Sequence, residues 1–247
     1  MLRLNVADGI HALMHANVNA YIIEDDDGIT LVDAGLPRMW PMLHIALETL
    51  GRRPEEIKAL VLTHGHFDHV GYAARVQREW NVPVYVHQAD VGLAAHPYRY
   101  KPQRNRFVYP FMHPRSLPTI ARMATAGALR VKGVTNTRPY ETNTPLPVPG
   151  EPTPQHTPGH TRGHCILQLA DRDTMITGDA LVTFDPYTGK AGPQTVASAA
   201  TQDTREAIRS LDVIGKSSAQ MLLPGHGEPW SQGAQTAVRH AIAIGQH

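Results

Sequence analysis

THGHFDHVG, Thr63 to Gly71, sets three histidines and an aspartate within six consecutive positions and then turns to glycine. The run before it, IKALVL, is apolar and strand-like, and the VGYAARVQREW that follows spaces its apolar residues as a helix does. The motif is therefore expected on a strand-to-helix loop, with Asp68 and His69 at the start of the helix. In an extended segment residues i and i+2 point the same way, so His64 and His66 can present two imidazoles to one ion. Asp68 and His69 can then turn toward a second ion nearby. Imidazole and carboxylate suit zinc, and also iron or manganese, and no thiolate is at hand to select a soft metal. Ordinary loop histidines are the bland alternative, which four potential ligands behind one apolar strand disfavour.

Outward from this loop the chain alternates strand-like and helix-like runs, the pattern of a layered α/β fold. HALMH, NAYIIE and ITLVDAG read as opening strands, the last two joined at DDDG, where no EF-hand spacing follows. Pro41 to Leu50 reads as a helix and VPVYVH as a strand. CILQLA and TMITGDAL flank DRD as a hairpin; TREAIRSLDVI and GAQTAVRHAIAI read as helices, and QMLLPGH as a buried strand between them. A chain of 247 residues is long enough for one sizeable core. No run reaches the roughly 18 apolar residues of a membrane span, and the first twenty residues lack a signal-peptide core. A soluble, cytoplasmic protein is expected. The single cysteine, Cys165, excludes an internal disulfide and sits in an apolar run that suits a core residue.

Pro97 to Arg138 stands apart. It holds nine Lys or Arg and no Asp or Glu, interleaved with Tyr98, Tyr100, Phe107, Tyr109 and Phe111. It reads as an insertion: either a lid that packs an acyl or ring group and pairs an arginine with an anion, or a connector or dimer contact. A nucleic-acid stacking groove is a weaker alternative, since the net charge of the chain is only +1.

Three later Gly-punctuated loops supply further donors: HTPGHTRGH offers His156, His160 and His164, TGDAL offers Asp179, and PGHG offers His226. In this order, with THGHFDHVG, they closely resemble the metallo-β-lactamase superfamily of metal-dependent hydrolases. The resemblance runs from NVNAYII and LVDAG to PGHGEPW, with 97–138 the least matched part. It implies one αββα sandwich domain over residues 1–247, with metals at one edge between the sheets. It makes His64, His66 and His160 the ligands of a first ion and Asp68, His69 and His226 those of a second, with Asp179 bridging. His164 and Asp33 match neighbours that orient ligands by hydrogen bonds, and His156 is assigned no role.

The implied cofactor is a pair of divalent ions, Zn2+ foremost, with Fe or Mn as alternatives. The implied reaction is attack by a bridging hydroxide on an ester, lactone, thioester or amide carbonyl, with Asp68 orienting the nucleophile and relaying a proton. The motifs look most like the glyoxalase II and acyl-homoserine lactonase branches. Only about twenty residues follow His226, too few for the extra glutathione-binding domain of the former. The tyrosine expected three positions after Asp179 in the latter is Val182 here; Tyr187 is the candidate substitute. Arg104, Arg106 and Phe107 are further candidate substrate contacts. A mononuclear iron oxygenase of the persulfide dioxygenase type, and a β-lactam or phosphodiester hydrolase, are the alternative readings. The diiron flavoprotein branch places Glu where this chain has His66. The expected partner is a small, anionic molecule with an apolar group; no membrane or nucleic-acid partner is expected, and a homodimer is left open.

Overall fold

Successive residues of a strand point to opposite faces, and the central strands are apolar toward both, so each sheet is covered on two sides and the layers follow. The computed structural model describes residues 1–246; His247, the last residue of the expected 1–247 domain, lies outside them. The first sheet runs in chain order: β1 (Leu2–Ala7), β2 (Ile10–His15), β3 (Val18–Asp25), β4 (Gly28–Val32), β5 (Ile57–Val61), β6 (Val84–His87) and β7 (Arg138–Tyr140). The first four form an antiparallel meander. From β4 onward the pairing is parallel, with crossovers through α1 (Trp40–Thr49) and α2 (Ala73–Trp80), then α3 (Val91–Ala95), α4 (Tyr109–Met112) and α5 (Leu117–Thr125). The second sheet holds β8 (Thr153–His156), β9 (Cys165–Leu169) and β10 (Thr174–Gly178). A separate ribbon, β11 (Val182–Phe184) with β12 (Ala191–Gln194), follows. After α6 (Thr204–Gly215), β13 (Met221–Pro224) pairs parallel to β10, and α7 (Ala234–Ile244) closes the chain.

Ala20, Ile22, Leu31 and Leu60 of the first sheet pack outward with Leu43, Leu47 and Val76 of α1 and α2. Their neighbours Tyr21, Ile23, Val32, Ala59 and Val61 pack inward against Cys165, Leu167, Ile176 and Leu223 of the second sheet. That sheet's other face, Ile166, Met175 and Leu222, meets Leu211 and Ile214 of α6 and Ala237 and Val238 of α7. Period-2 alternation thus yields helix, sheet, sheet, helix: the expected αββα sandwich. Cys165 is fully buried between the sheets.

Four details differ from the sequence reading. The helix after the histidine motif starts at Ala73, beyond Asp68 and His69, because the backbone there bonds to the end of β4: Ala34 N donates to His69 O, Gly71 N to Gly35 O and Tyr72 N to Ala34 O. Gly71 permits this approach, since a Cβ there would lie 2.2 Å from Gly35 O. Strand β1 is an additional, half-buried edge with a register shift, so its burial pattern carries no clean alternation. Strands β7 and β8 each include a proline at the margin of the loop that leads to them. The ribbon β11–β12 lies in a Pro- and Gly-rich stretch without strand periodicity.

Candidate metal centre

The donor loops all leave strand ends on one edge of the sandwich, the place where α/β sheets present ligand-binding groups. Asp33 follows β4, His64 to His69 follow β5, His160 lies in the β8–β9 connection, Asp179 follows β10 and His226 follows β13. Asn19 N donates to Gly225 O and the Asn19 amide to Pro224 O and Gly227 O, which ties the β13 loop to the first sheet.

The structure brings together all seven sequence-predicted ligands, each buried. Three groups form, within each of which the donor atoms lie within 4.8 Å of one another: His64, His66 and His160; His64, His69 and Asp179; Asp68, His69 and His226. Asp179 sits between the outer two. Its Oδ2 is 3.3 Å from both His160 Nε2 and His226 Nε2, and its Oδ1 is 3.4 Å from His69 Nε2. Asp68 Oδ2 is 3.5 Å from His226 Nε2. His64 Nε2, His69 Nε2 and Asp179 Oδ1 are buried with no hydrogen-bond partner. Buried polar atoms without partners are costly, and several sharing one point are the signature of a cation site. The imidazole and carboxylate donor set fits divalent zinc, iron or manganese.

A ring of supporting bonds holds these side chains. Asp33, at φ +58°, accepts from Thr63 N, from the Thr63 hydroxyl and from His69 Nδ1, each at 2.8 Å. His226 Nδ1 donates to Asn17 O at 2.6 Å, and His160 Nδ1 lies 3.2 Å from the Thr201 hydroxyl. His164 stays outside the three groups: its Nδ1 meets the Thr157 hydroxyl at 2.8 Å, and its Nε2 accepts from Asp179 N at 3.0 Å. It orients the backbone that carries Asp179. His156 stacks on His87, with ring centroids 4.5 Å apart, and bonds Arg162 O through Nε2. His11 is buried beside Glu24.

Burial dominates the electrostatics of the centre. It pushes the pKa of His64, His66 and His164 well below the ordinary histidine value and that of His160 down to about 4, which favours the neutral rings, and in His64, His66 and His160 a neutral ring has a lone pair to offer an ion. On His69 and His226 burial acts the same way, but carboxylates overcome it and raise both, Asp179 and Asp33 on His69, and Asp179 and Asp68 on His226. Burial raises Asp68. Asp179 is held well below the usual carboxylate range, where His226 and His69 outweigh its burial.

Comparison with known proteins accords with this arrangement. The sequence profile described as Metallo-beta-lactamase superfamily matches residues 15–226, a span that takes in every one of these donors. The chain belongs to the metallo-beta-lactamase superfamily. Among similar members, a Bacillus subtilis protein named "Probable metallo-hydrolase YflN" is 27% identical over 234 residues, covering 90% of this chain and 85% of its own length. The metallo-beta-lactamase family protein TTHA1429 from Thermus thermophilus superposes with a TM-score of 0.67 at 21% identity, over 94% of this chain and 77% of its own. TTHA1623, solved in a di-iron-bound form, gives 0.63 at 24% identity, over 91% and 95%. At these identities the two structures speak to the fold.

The 97–138 segment lays aromatic side chains over this member's centre. The Tyr100 ring stands 4.0 Å from that of His66, and the Arg106 guanidinium lies 4.5 Å from the centroid of the same tyrosine ring. Tyr98 stacks on Phe67 of the histidine motif at 5.5 Å. A pocket of about 380 Å³ opens here, lined by Phe67, Tyr98, Arg106, Phe107, Leu129 and Tyr187 among others. Of the four candidate substrate contacts, Tyr187, Arg106 and Phe107 therefore share one pocket, whereas Arg104 is exposed and does not line it.

Sequence reasoning missed Asp90. Its buried carboxylate accepts from Gly65 N at 3.0 Å, the Thr161 hydroxyl at 2.7 Å and Gly163 N at 2.7 Å, and so fastens the His64–His66 loop to the His160–His164 loop. A lone acid after β6 has no spacing relation to either motif. Tyr100 stands out in the sequence only as one aromatic among several.

Proposed function

We propose that this protein is a dinuclear metallo-hydrolase that opens an ester, lactone or thioester bond of a substrate with an apolar acyl group and an anionic feature. The observation that carries the reading is the juxtaposition of three converging donor groups with an apolar pocket that shares Phe67 with the histidine motif. His64, His66 and His160 would hold one ion, Asp68, His69 and His226 the other, and Asp179 both. Two bound dications, zinc foremost, supply Lewis acidity and a water that ionises near neutral pH.

The chain's own residues supply the rest. Asp68, beside His226 at the border of the centre, orients the attacking water and passes its proton to the leaving group. The apolar lining of Phe67, Tyr98, Ile120 and Met123 offers the acyl group a surface away from water, and Arg106 supplies a cation for a substrate carboxylate or phosphate. The presence of the complete second group, Asp68, His69 and His226, favours two ions over the single iron of an oxygenase.

The test is acid release by zinc-loaded protein and its His66→Ala variant against lactones, thioesters, carboxyl esters, phosphodiesters and β-lactams. Metal-dependent turnover confined to the first three classes is expected. Turnover of phosphodiesters or β-lactams alone would replace the proposed bond, and inertness toward all of them with oxygen uptake on a persulfide would replace the hydrolase.

A further inference from the structure

The mouth of the apolar pocket does not close over its own hydrophobic residues. Phe107 and Leu129, which line it, are 77% and 78% exposed, and Phe111, on the short helix α4 just after Phe107, is 87% exposed. Met112 and Leu117 add two more large apolar side chains at least half exposed within the same segment. So many large apolar side chains exposed in one segment point to an interaction surface. Every charged residue of the segment is basic, and Arg104, Arg115, Arg122 and Arg130 are exposed. The ion pairs of the described residues engage other cations, on Arg3, Arg52, Arg53, Arg75, Arg78, Arg172, Arg209 and Lys216. With nine cations and no acid in 97–138, the rest of the chain keeps 14 Lys or Arg against 22 Asp or Glu, a balance of −8. Basic residues are thus concentrated in the segment that borders the pocket, while the rest of the chain is net acidic.

We propose that this segment is a docking surface for an anionic lipid bilayer, entered peripherally by Phe107, Phe111 and Leu129 while the arginines lie at the headgroups. Exposed aromatic and aliphatic side chains among cations are the composition of interfacial segments. No helix among the described residues is long and apolar enough to cross a membrane, and the docking proposed is peripheral. A two-fold contact with a second copy would set these uncompensated cations against each other, an arrangement that like-charge repulsion opposes. Nucleic acid would match the charge but leave Leu129, Met112 and Leu117 without a partner.

The experiment is co-sedimentation of the metal-loaded full chain with vesicles of phosphatidylglycerol and phosphatidylcholine, and of phosphatidylcholine alone, beside light scattering for mass. It reads binding without turnover, so it stands or fails separately from the hydrolase reading. Binding to the anionic vesicles is expected, weakened about fivefold for each of Arg104→Gln and Arg115→Gln and at least about tenfold for Phe107→Ser with Phe111→Ser. These side chains are exposed, and circular dichroism and metal content check that the variants fold. No preference for anionic vesicles, a dimer that the Phe variants dissolve in place of vesicle binding, or binding to an oligonucleotide in its place would each overturn the proposal.

Discussion

Asp33→Ala tests whether the centre is held from behind by the β4 loop. The carboxylate is 2% exposed and accepts three hydrogen bonds at 2.8 Å, two from Thr63 and one from His69. Alanine leaves the Thr63 amide and His69 Nδ1 buried without an acceptor, at roughly 1–3 kcal/mol for each orphan. It also puts a Cβ residue without side-chain compensation at φ +58°, adding about 1 kcal/mol. Together these predict a loss of about 3–7 kcal/mol, a large part of the roughly 5–15 kcal/mol that keeps a domain folded. Asp33→Asn separates stability from positioning. Asparagine tolerates the left-handed backbone and can still accept from Thr63 N, but its amide cannot replace both carboxylate oxygens. His69 then loses its anionic partner, and affinity for the ion it holds should fall about 10- to 100-fold while unfolding changes less. Urea unfolding of the metal-free protein reads the first quantity, and zinc competition against a chelating dye reads the second. An alanine variant as stable as its parent, or an asparagine variant that binds zinc as tightly, would refute the reasoning.

Gly225→Ala should cost metal binding with the ligands themselves intact, because a Cβ there would lie 2.2 Å from Asp179 Oδ1 and 2.7 Å from His69 Cε1; metal content per chain checks it. Asp90→Ala frees three hydrogen-bond donors in the two ligand loops, so about 3 kcal/mol of stability should be lost and zinc affinity reduced, measured by the same two assays. The thiol of Cys165 is buried and its pKa is pushed up to about 12 by that burial, so a disulfide reagent should label it only in denaturant; labelling of the native protein at the rate of a free thiol would contradict its place between the sheets.

The histidine-rich loops are legible because each follows an apolar strand and carries several donors at close spacing. The central strands, such as VNAYIIED and GITLV, are legible as largely apolar runs, which burial on both faces demands. Strand β1, half solvated, and the β11–β12 ribbon, built from turn residues, have no such demand placed on them, and their sequences do not announce a sheet. Asp90 illustrates the other limit. Its partners lie 25, 71 and 73 residues away, so nothing local distinguishes it from a surface acid.

By itself the sequence determined the family, the order of layers and which side chains can hold a metal, because periodicity and donor chemistry are local properties. Only the tertiary structure decided how those donors group around Asp179, that Asp33, Asp90 and His164 hold them in place, and that Arg106 turns toward the centre while Arg104 does not. It also decided that Phe107, Phe111 and Leu129 stand in the open, since burial is a property of the packed chain and an apolar residue in a sequence carries no sign of whether the fold will cover it.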